Sequence, residues 1–318
     1  MERAASLMTS TSDPRALRAE LDSLTTEAFR PELAEIDRLA TLDIARLMNG
    51  EDSSVPAAVA ARLPEIAAAI DAVAERMARG GRLVYAGAGT AGRLGVLDAS
   101  ECPPTFNTAP SQVVGLIAGG PQAMVTSVEG AEDSADLARA DLDALALTPA
   151  DTVVGISASG RTPYAIGAVE HARARGALTI GLACNPGSAL AAAAEHGLEI
   201  VVGPELLTGS TRLKAGTAQK LVLNMLSTIT MIRLGKTYGN LMVDVRASND
   251  KLRARSRRIV ALATGANDTD VERALTAADG EVKTAILILL TDVDATTATE
   301  LLAAANGHLR AAVRASGS

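Results

Sequence analysis

A chain of 318 residues with 30 basic against 37 acidic side chains carries a net charge of −7, which removes any electrostatic reason to expect nucleic acid or an anionic membrane as its main partner. Its 48% hydrophobic content is almost wholly aliphatic, with 2% aromatics and no Trp, so the core must be close-packed from Ala, Leu, Val and Ile, as suits helices on a parallel sheet. Cys102 and Cys184 stand far apart in no C-x-x-C pairing, no signal-peptide core opens the chain and no apolar stretch has spanning length, so the expectation is a soluble protein of a reducing cytoplasm.

In chain order, Met1 to about Pro14 is rich in Ser and Thr with a turn signal at "SDP", and is expected to fray. From about Ala16 to Met48, Leu33, Ile36, Leu39, Leu42, Ile44 and Leu47 form an imperfect helical stripe. The next segment, "DSSVPAAVAARLPEIAAAIDAVAERMARGG", reads as a helix capped by Asp or Ser, with Pro56 in its first turn and Gly80 and Gly81 closing it.

The pattern then changes to short aliphatic runs at 82–86, 112–118, 151–157, 177–183 and 198–202, separated by helix-forming stretches near 121–144, 163–175, 187–196 and 212–235. Such alternation predicts an α/β fold with a doubly wound, five-stranded parallel sheet, whose ligands collect at the carboxyl ends of the strands. After about Ala247 the strand signals stop and short helices follow, with Asn267 and Asp268 as caps and Gly265, Gly280 and Gly307 as punctuation. The basic run "KLRARSRR" reads as a solvated helix face, with an interface as the lesser alternative. The chain therefore divides into an N-terminal helical segment (1–59), a sheet domain (60–236) and a small helical C-terminal region (237–318).

Two strand-to-helix turns carry chemistry. In "VVGISASGRTPY", Ser157, Ser159, Gly160, Arg161 and Thr162 lie between a strand and a helix opened by Pro163, and hydroxyls with free amides at a helix start make an anion cradle. An ordinary cap by Thr162 would explain one hydroxyl and leave the other groups without a role. The second turn, "GAGTAG", spaces Gly87, Gly89 and Gly92 as G-x-G-x-x-G. A dinucleotide reading fails there on two grounds: Pro103 and Pro104 are expected to end the helix within about three turns, and the next strand lacks an acidic residue for a ribose. Beside those prolines stands Glu101, and after the second strand come Glu132 and Asp133. Glu132 serves equally as a favourable charge at a helix start or as half of an acid and base pair with Glu101, and spacing alone leaves both open. His171, His196 and His308 show no ligand spacing, so neither metal nor cofactor is expected.

Taken together and in order, "GAGTAGRLGVLDASECPPTF", "VEGAED", "ISASGRTPY", "CNPGSAL", "TGSTRLKAGTAQKLVLNMLST" and "GNLMVDVRASNDKL" resemble the N-acetylmuramic acid 6-phosphate etherases, from about Leu33 to beyond Leu252. The resemblance implies a sugar isomerase (SIS) fold, a homodimer, and cleavage of the D-lactyl ether of N-acetylmuramic acid 6-phosphate to N-acetylglucosamine 6-phosphate and D-lactate, in cell-wall amino-sugar recycling. It also implies that Glu101 is the proton donor and Glu132 the second active-site glutamate and C2 base. Ser157, Ser159, Gly160, Arg161 and Thr162 would hold the sugar phosphate, with Thr90, Ser210, Thr211 and Lys214 lining the same site. The family commonly has Ser at Ala91 and Gly at Asn107, departures that bear on turnover and not on reaction class. The alternatives are a sugar-phosphate-sensing regulatory protein of the same fold, which would need neither glutamate, and an aldose-ketose isomerase, which would release no lactate.

Overall fold

The computed structural model of the chain describes residues 18, 19, 21–245 and 250–317. The terminus expected to fray and the boundary near Ala247 lie outside these residues. Where the apolar stripe suggested one helix, three single 3₁₀ turns (Thr25–Glu27, Pro31–Leu33 and Ile36–Arg38) precede helix α1 (Thr41–Asp52). Extended backbone at Ala28 and Arg30, the latter just ahead of Pro31, breaks the periodicity. None of the residues of α1 is buried. The following segment is two helices, α2 (Val55–Ala60) and α3 (Leu63–Ala78), because Pro64 can open a helix but cannot continue one.

Five parallel strands, β1 (Leu83–Gly87), β2 (Val113–Ile117), β3 (Thr152–Ile156), β4 (Leu178–Ala183) and β5 (His196–Glu199), lie in the order β2-β1-β3-β4-β5. Each run predicted from sequence overlaps a strand, but β5 is displaced toward the N-terminus and shares only residues 198 and 199 with its run at 198–202. Helices α4 (Gly89–Phe106), α5 (Ala135–Ala144), α6 (Pro163–Ala174), α7 (Ala189–Ala193) and α8 (Lys214–Arg233) follow the strands in turn. The alternation along β1 shows how the layers form: Leu83 and Tyr85 enter a core with residues of α3, α4 and α8, while Val84 and Ala86 enter one with residues of α5 and α6. The stretch expected to be helical at 121–144 yields α5 only after a loop, 125–134.

The prolines in "SECPPTF" do not stop α4. The helix runs unbroken for 18 residues with Pro103 and Pro104 inside its last turns, and Asn107, left-handed at φ 52, closes it with its N–H on the Pro103 carbonyl at 3.0 Å. Proline's fixed φ is helical, so the helix continues through both prolines, although neither has an N–H to donate to the carbonyl four residues back, Ala99 or Ser100. Asn is one of the few side chains besides Gly that tolerate that left-handed position, so Asn107 serves as the cap.

After α8, a hairpin of two-residue strands, β6 (Thr237–Tyr238) and β7 (Leu241–Met242), leads to α9 (Asp250–Thr264), α10 (Asp268–Ala277), α11 (Val282–Thr291), α12 (Ala295–Ala304) and α13 (Leu309–Ala315). These surround a core of their own that includes Val260, Val271, Ile286, Leu287 and Leu309. Asn267 caps α10 by accepting from the Asp270 N–H at 3.0 Å, and Asp268 is the first helical residue. Along 251–258 only Ser256 is buried, as a solvated face requires.

Candidate active site

The chain crosses from β1 to β2 in one direction and to β3 in the other, so the crevice between the carboxyl ends of β1 and β3 is where the topology leaves room for a ligand. Both turns singled out in the sequence open there. At the first, Gly89 takes φ 53 and starts α4, and Gly92 lets the helix lie directly on the strand. A Cβ on Gly92 would stand 2.6 Å from the Gly87 oxygen and 2.7 Å from Ile117 Cγ1. The spacing of these glycines therefore serves close packing of helix on strand.

At the second turn the hydroxyls form a network. Ser157, buried at the end of β3, has its Oγ 2.8 Å from Thr162 Oγ1 and 3.2 Å from Ser159 Oγ, and accepts from the Gly160 N–H at 3.0 Å. Ser159 Oγ accepts from the Arg161 N–H at 3.2 Å. Thr162 occupies the cap position of α6 but makes no side-chain capping bond. Simple capping therefore does not account for its hydroxyl, which turns to Ser157. The loop's own oxygens take the Gly160 and Arg161 amides, so the hydroxyls are what it presents. Gly160 is needed for space, since a Cβ there would lie 2.3 Å from Ser188 Cβ.

Glu132 comes to the same place because its carbonyl accepts the Tyr164 N–H in the first turn of α6 at 3.0 Å. That bond ties the 125–134 loop to the hydroxyl loop. A cavity of about 300 Å³ lies between the two turns, with Thr90, Glu132, Ser157, Ser159, Thr162 and Thr211 in its wall. A second cavity of about 210 Å³, which holds Arg93, Ser127 and Glu129, shares Ala88, Gly89 and Glu132 with the first. Glu132 thus stands where the two adjoin.

The remaining predicted residues lie elsewhere. Gly160 and Arg161 back the loop without lining the cavity, and exposed Arg161 donates to Ser23 Oγ at 3.4 Å. Ser210 is half-buried in the turn before α8. Lys214 is buried outside the cavity, paired at 2.7 Å with Glu51, which also meets Arg30 at 2.6 Å. Its backbone and that of Ala215 donate to fully buried Glu205 at 2.9 Å each, so a protein carboxylate occupies the start of α8. Glu101 differs most from expectation. Because α4 continues through the prolines, Glu101 lies on the exposed body of the helix, roughly 18 Å along it from Gly89 at about 1.5 Å per residue. It does not line the cavity of its own chain.

Two wall residues escaped the sequence reading. Gln219 is 1% exposed on the stripe of α8 that otherwise buries Ala215, Ala218, Val222 and Leu226, and a polar side chain on such a stripe was the available signal. Glu27 arrives on the N-terminal strap, which no periodicity announced. Its neighbours are clamped by Asn185, whose Oδ1 accepts from Thr25 Oγ1 at 2.9 Å and whose Nδ2 donates to Thr26 Oγ1 at 3.0 Å and the Ala158 carbonyl at 2.9 Å. Among the described residues no group of three or more His, Cys, Asp or Glu is arranged to hold a metal ion, and no helix is long and apolar enough to cross a membrane.

The model of the glucokinase regulatory protein N-terminal SIS domain matches residues 65–173, and that of the SIS domain matches residues 131–229. The chain is 83% identical over 308 residues to the N-acetylmuramic acid 6-phosphate etherase of Streptomyces coelicolor, covering 97% of this chain and 99% of the relative. It is 61% identical over 293 residues to the same-named protein of Rubrobacter xylanophilus, covering 92% and 97%. Among solved structures, a phosphoheptose isomerase from Francisella tularensis is similar at 20% identity and a TM-score of 0.46, over 61% of this chain and 100% of that one.

Proposed function

The chain belongs to the N-acetylmuramic acid 6-phosphate etherase family, with an SIS fold, and from that premise we propose how its residues divide the reaction. The enzyme cleaves the lactyl ether of N-acetylmuramic acid 6-phosphate, in amino-sugar recycling. The phosphate sits against the hydroxyls of Ser157, Ser159 and Thr162, and the sugar lies toward Glu132.

An unactivated ether is a poor leaving group, so the sugar first opens to its aldehyde, which acidifies the hydrogen on C2. Glu132 removes that proton, the C2 electrons form a double bond to C3, and the C3–O bond breaks with its electron pair on the lactyl oxygen. An acid protonates that oxygen and D-lactate leaves. Water then adds at C3 of the unsaturated aldehyde, a proton returns to C2, and N-acetylglucosamine 6-phosphate results. The observation that carries this assignment is that one backbone bond, Tyr164 N–H to the Glu132 carbonyl, holds the glutamate beside the hydroxyl loop.

Glu101 is the acid, supplied to this site by a second copy of the chain. Its exposure on α4, one turn beyond Leu97, which is 52% exposed, supports that arrangement. So does α1, which carries Leu42 and Leu47 and buries none of its residues within the protomer. The free buried thiols of Cys102 and Cys184 suit a reducing cytoplasm. The sensor reading weighed from the sequence finds no support among the relatives, which are etherases over nearly the whole chain.

Turnover in heavy-oxygen water tests the chemistry. Elimination and addition require unlabelled D-lactate and solvent oxygen at C3 of the amino sugar, whereas label in lactate means attack on the lactyl carbon.

A further inference from the structure

Among the described residues, five buried side-chain polar atoms have no hydrogen-bond partner, and of the residues that carry them Gln219, through its Nε2, is the one that lines the site cavity. A buried amide left without a partner is destabilising, so an orphaned donor on a residue that lines a cavity marks a place where a small side-chain turn can meet a ligand oxygen. In the same wall lies Glu27, half-buried, with its Oε2 2.6 Å from where a Cβ on Gly209 would stand. The glycine leaves room for this carboxylate, and the clamp of Thr25 and Thr26 on Asn185 holds its strap in place.

We propose that Gln219 and Glu27 grip the sugar itself, Gln219 donating its amide hydrogen to a sugar or acetamido oxygen and Glu27 accepting from a sugar hydroxyl. The division follows from charge. A phosphate is matched by hydroxyl donors, which the Ser157 loop supplies, and is repelled by a carboxylate, so the phosphate lies at the loop and the neutral polyol lies toward Glu27. An acceptor and a donor on two separate elements, the strap and α8, then set the orientation that presents C2 to Glu132. The inference rests on the etherase reading for the identity of the sugar, and the cavity wall carries the rest.

Titration calorimetry of N-acetylglucosamine 6-phosphate and, separately, inorganic phosphate tests it on the wild type, Gln219→Met and Glu27→Gln. Gln219→Met keeps the volume and removes the donor. It should weaken the sugar phosphate about tenfold, leave inorganic phosphate within about twofold, and not lower the thermal midpoint. Glu27→Gln should weaken the sugar phosphate several-fold, again sparing inorganic phosphate. Unchanged sugar-phosphate affinity in both variants, or an equal loss for both ligands, overturns the proposal. A fall in thermal midpoint with affinity intact also overturns it, because Gln219 is then structural. Lactate release by the wild type is scored separately: binding without lactate overturns the etherase chemistry and leaves the grip on the sugar standing.

Discussion

The turns after β1 and β3 occupy neighbouring strand ends, open into the same cavity and begin helices, yet they are built on opposite principles. The first consists of small residues, and its glycines let α4 press against the strand until a single added carbon would strike backbone. The second presents three hydroxyls bonded to one another. The first decides how close the elements come, and the second decides what the gap between them can hold. Glycine spacing alone reports the former, so a G-x-G-x-x-G run does not by itself specify a dinucleotide.

The comparison breaks most visibly through the reacting group. Glu132→Gln should lower kcat by about 10²–10⁴-fold with sugar-phosphate binding retained, since proton transfer is lost while the hydroxyl loop is untouched; a parallel loss of binding would return Glu132 to a structural role. Next comes the packing turn. Gly92→Ala drives its Cβ into the Gly87 carbonyl and should cost about 1–3 kcal/mol of stability, read as a fall in urea midpoint. A fully stable variant would mean that the close approach is not required.

Ser157→Ala probes the second turn with a smaller effect. Removing the hub of the hydroxyl network should cost about 1 kcal/mol in sugar-phosphate affinity, seen as a rise in KM of several-fold with little change in kcat. The smallest effect concerns what anchors α4 from behind. Asp98, 7% exposed, accepts from Tyr85 Oη at 2.8 Å, Asn224 Nδ2 at 2.7 Å and Ser227 Oγ at 3.1 Å. Burial pushes its carboxyl above the ordinary value of 3.8, and these hydrogen bonds offset only part of that. The native state therefore holds this proton to higher pH than the unfolded chain does. The associated stability is full below 3.8 and declines as pH rises through the raised native value. Denaturant midpoints across mildly acidic pH should show that decline, and Asp98→Asn should flatten it.

Much of this site was legible because its chemistry is local. Ser157, Ser159 and Thr162 lie within six residues at a strand end, and a turn that short must bring its hydroxyls together. Glu132 was legible as a charge near a helix start, but its approach to the hydroxyl loop depends on one hydrogen bond from the 125–134 loop to the first turn of α6. The prolines beside Glu101 misled because their fixed φ is compatible with a helix, and α4 continues through both before it ends at Asn107. Lys214 looked like a ligand-facing cation until Glu51, 163 positions away, claimed it.

The sequence by itself determined the layered α/β architecture, the five strands and the hydroxyl loop, because hydrophobic period, turn residues and helix starts are set by neighbours along the chain. Tertiary structure alone decided which walls the cavity has. The strap carrying Glu27, the orphaned amide of Gln219, the withdrawal of Lys214 and the exposure of Glu101 all depend on contacts between distant segments, or on how far a helix runs before it ends. Such contacts follow from packing and charge balance in the assembled protein, and no local pattern encodes them.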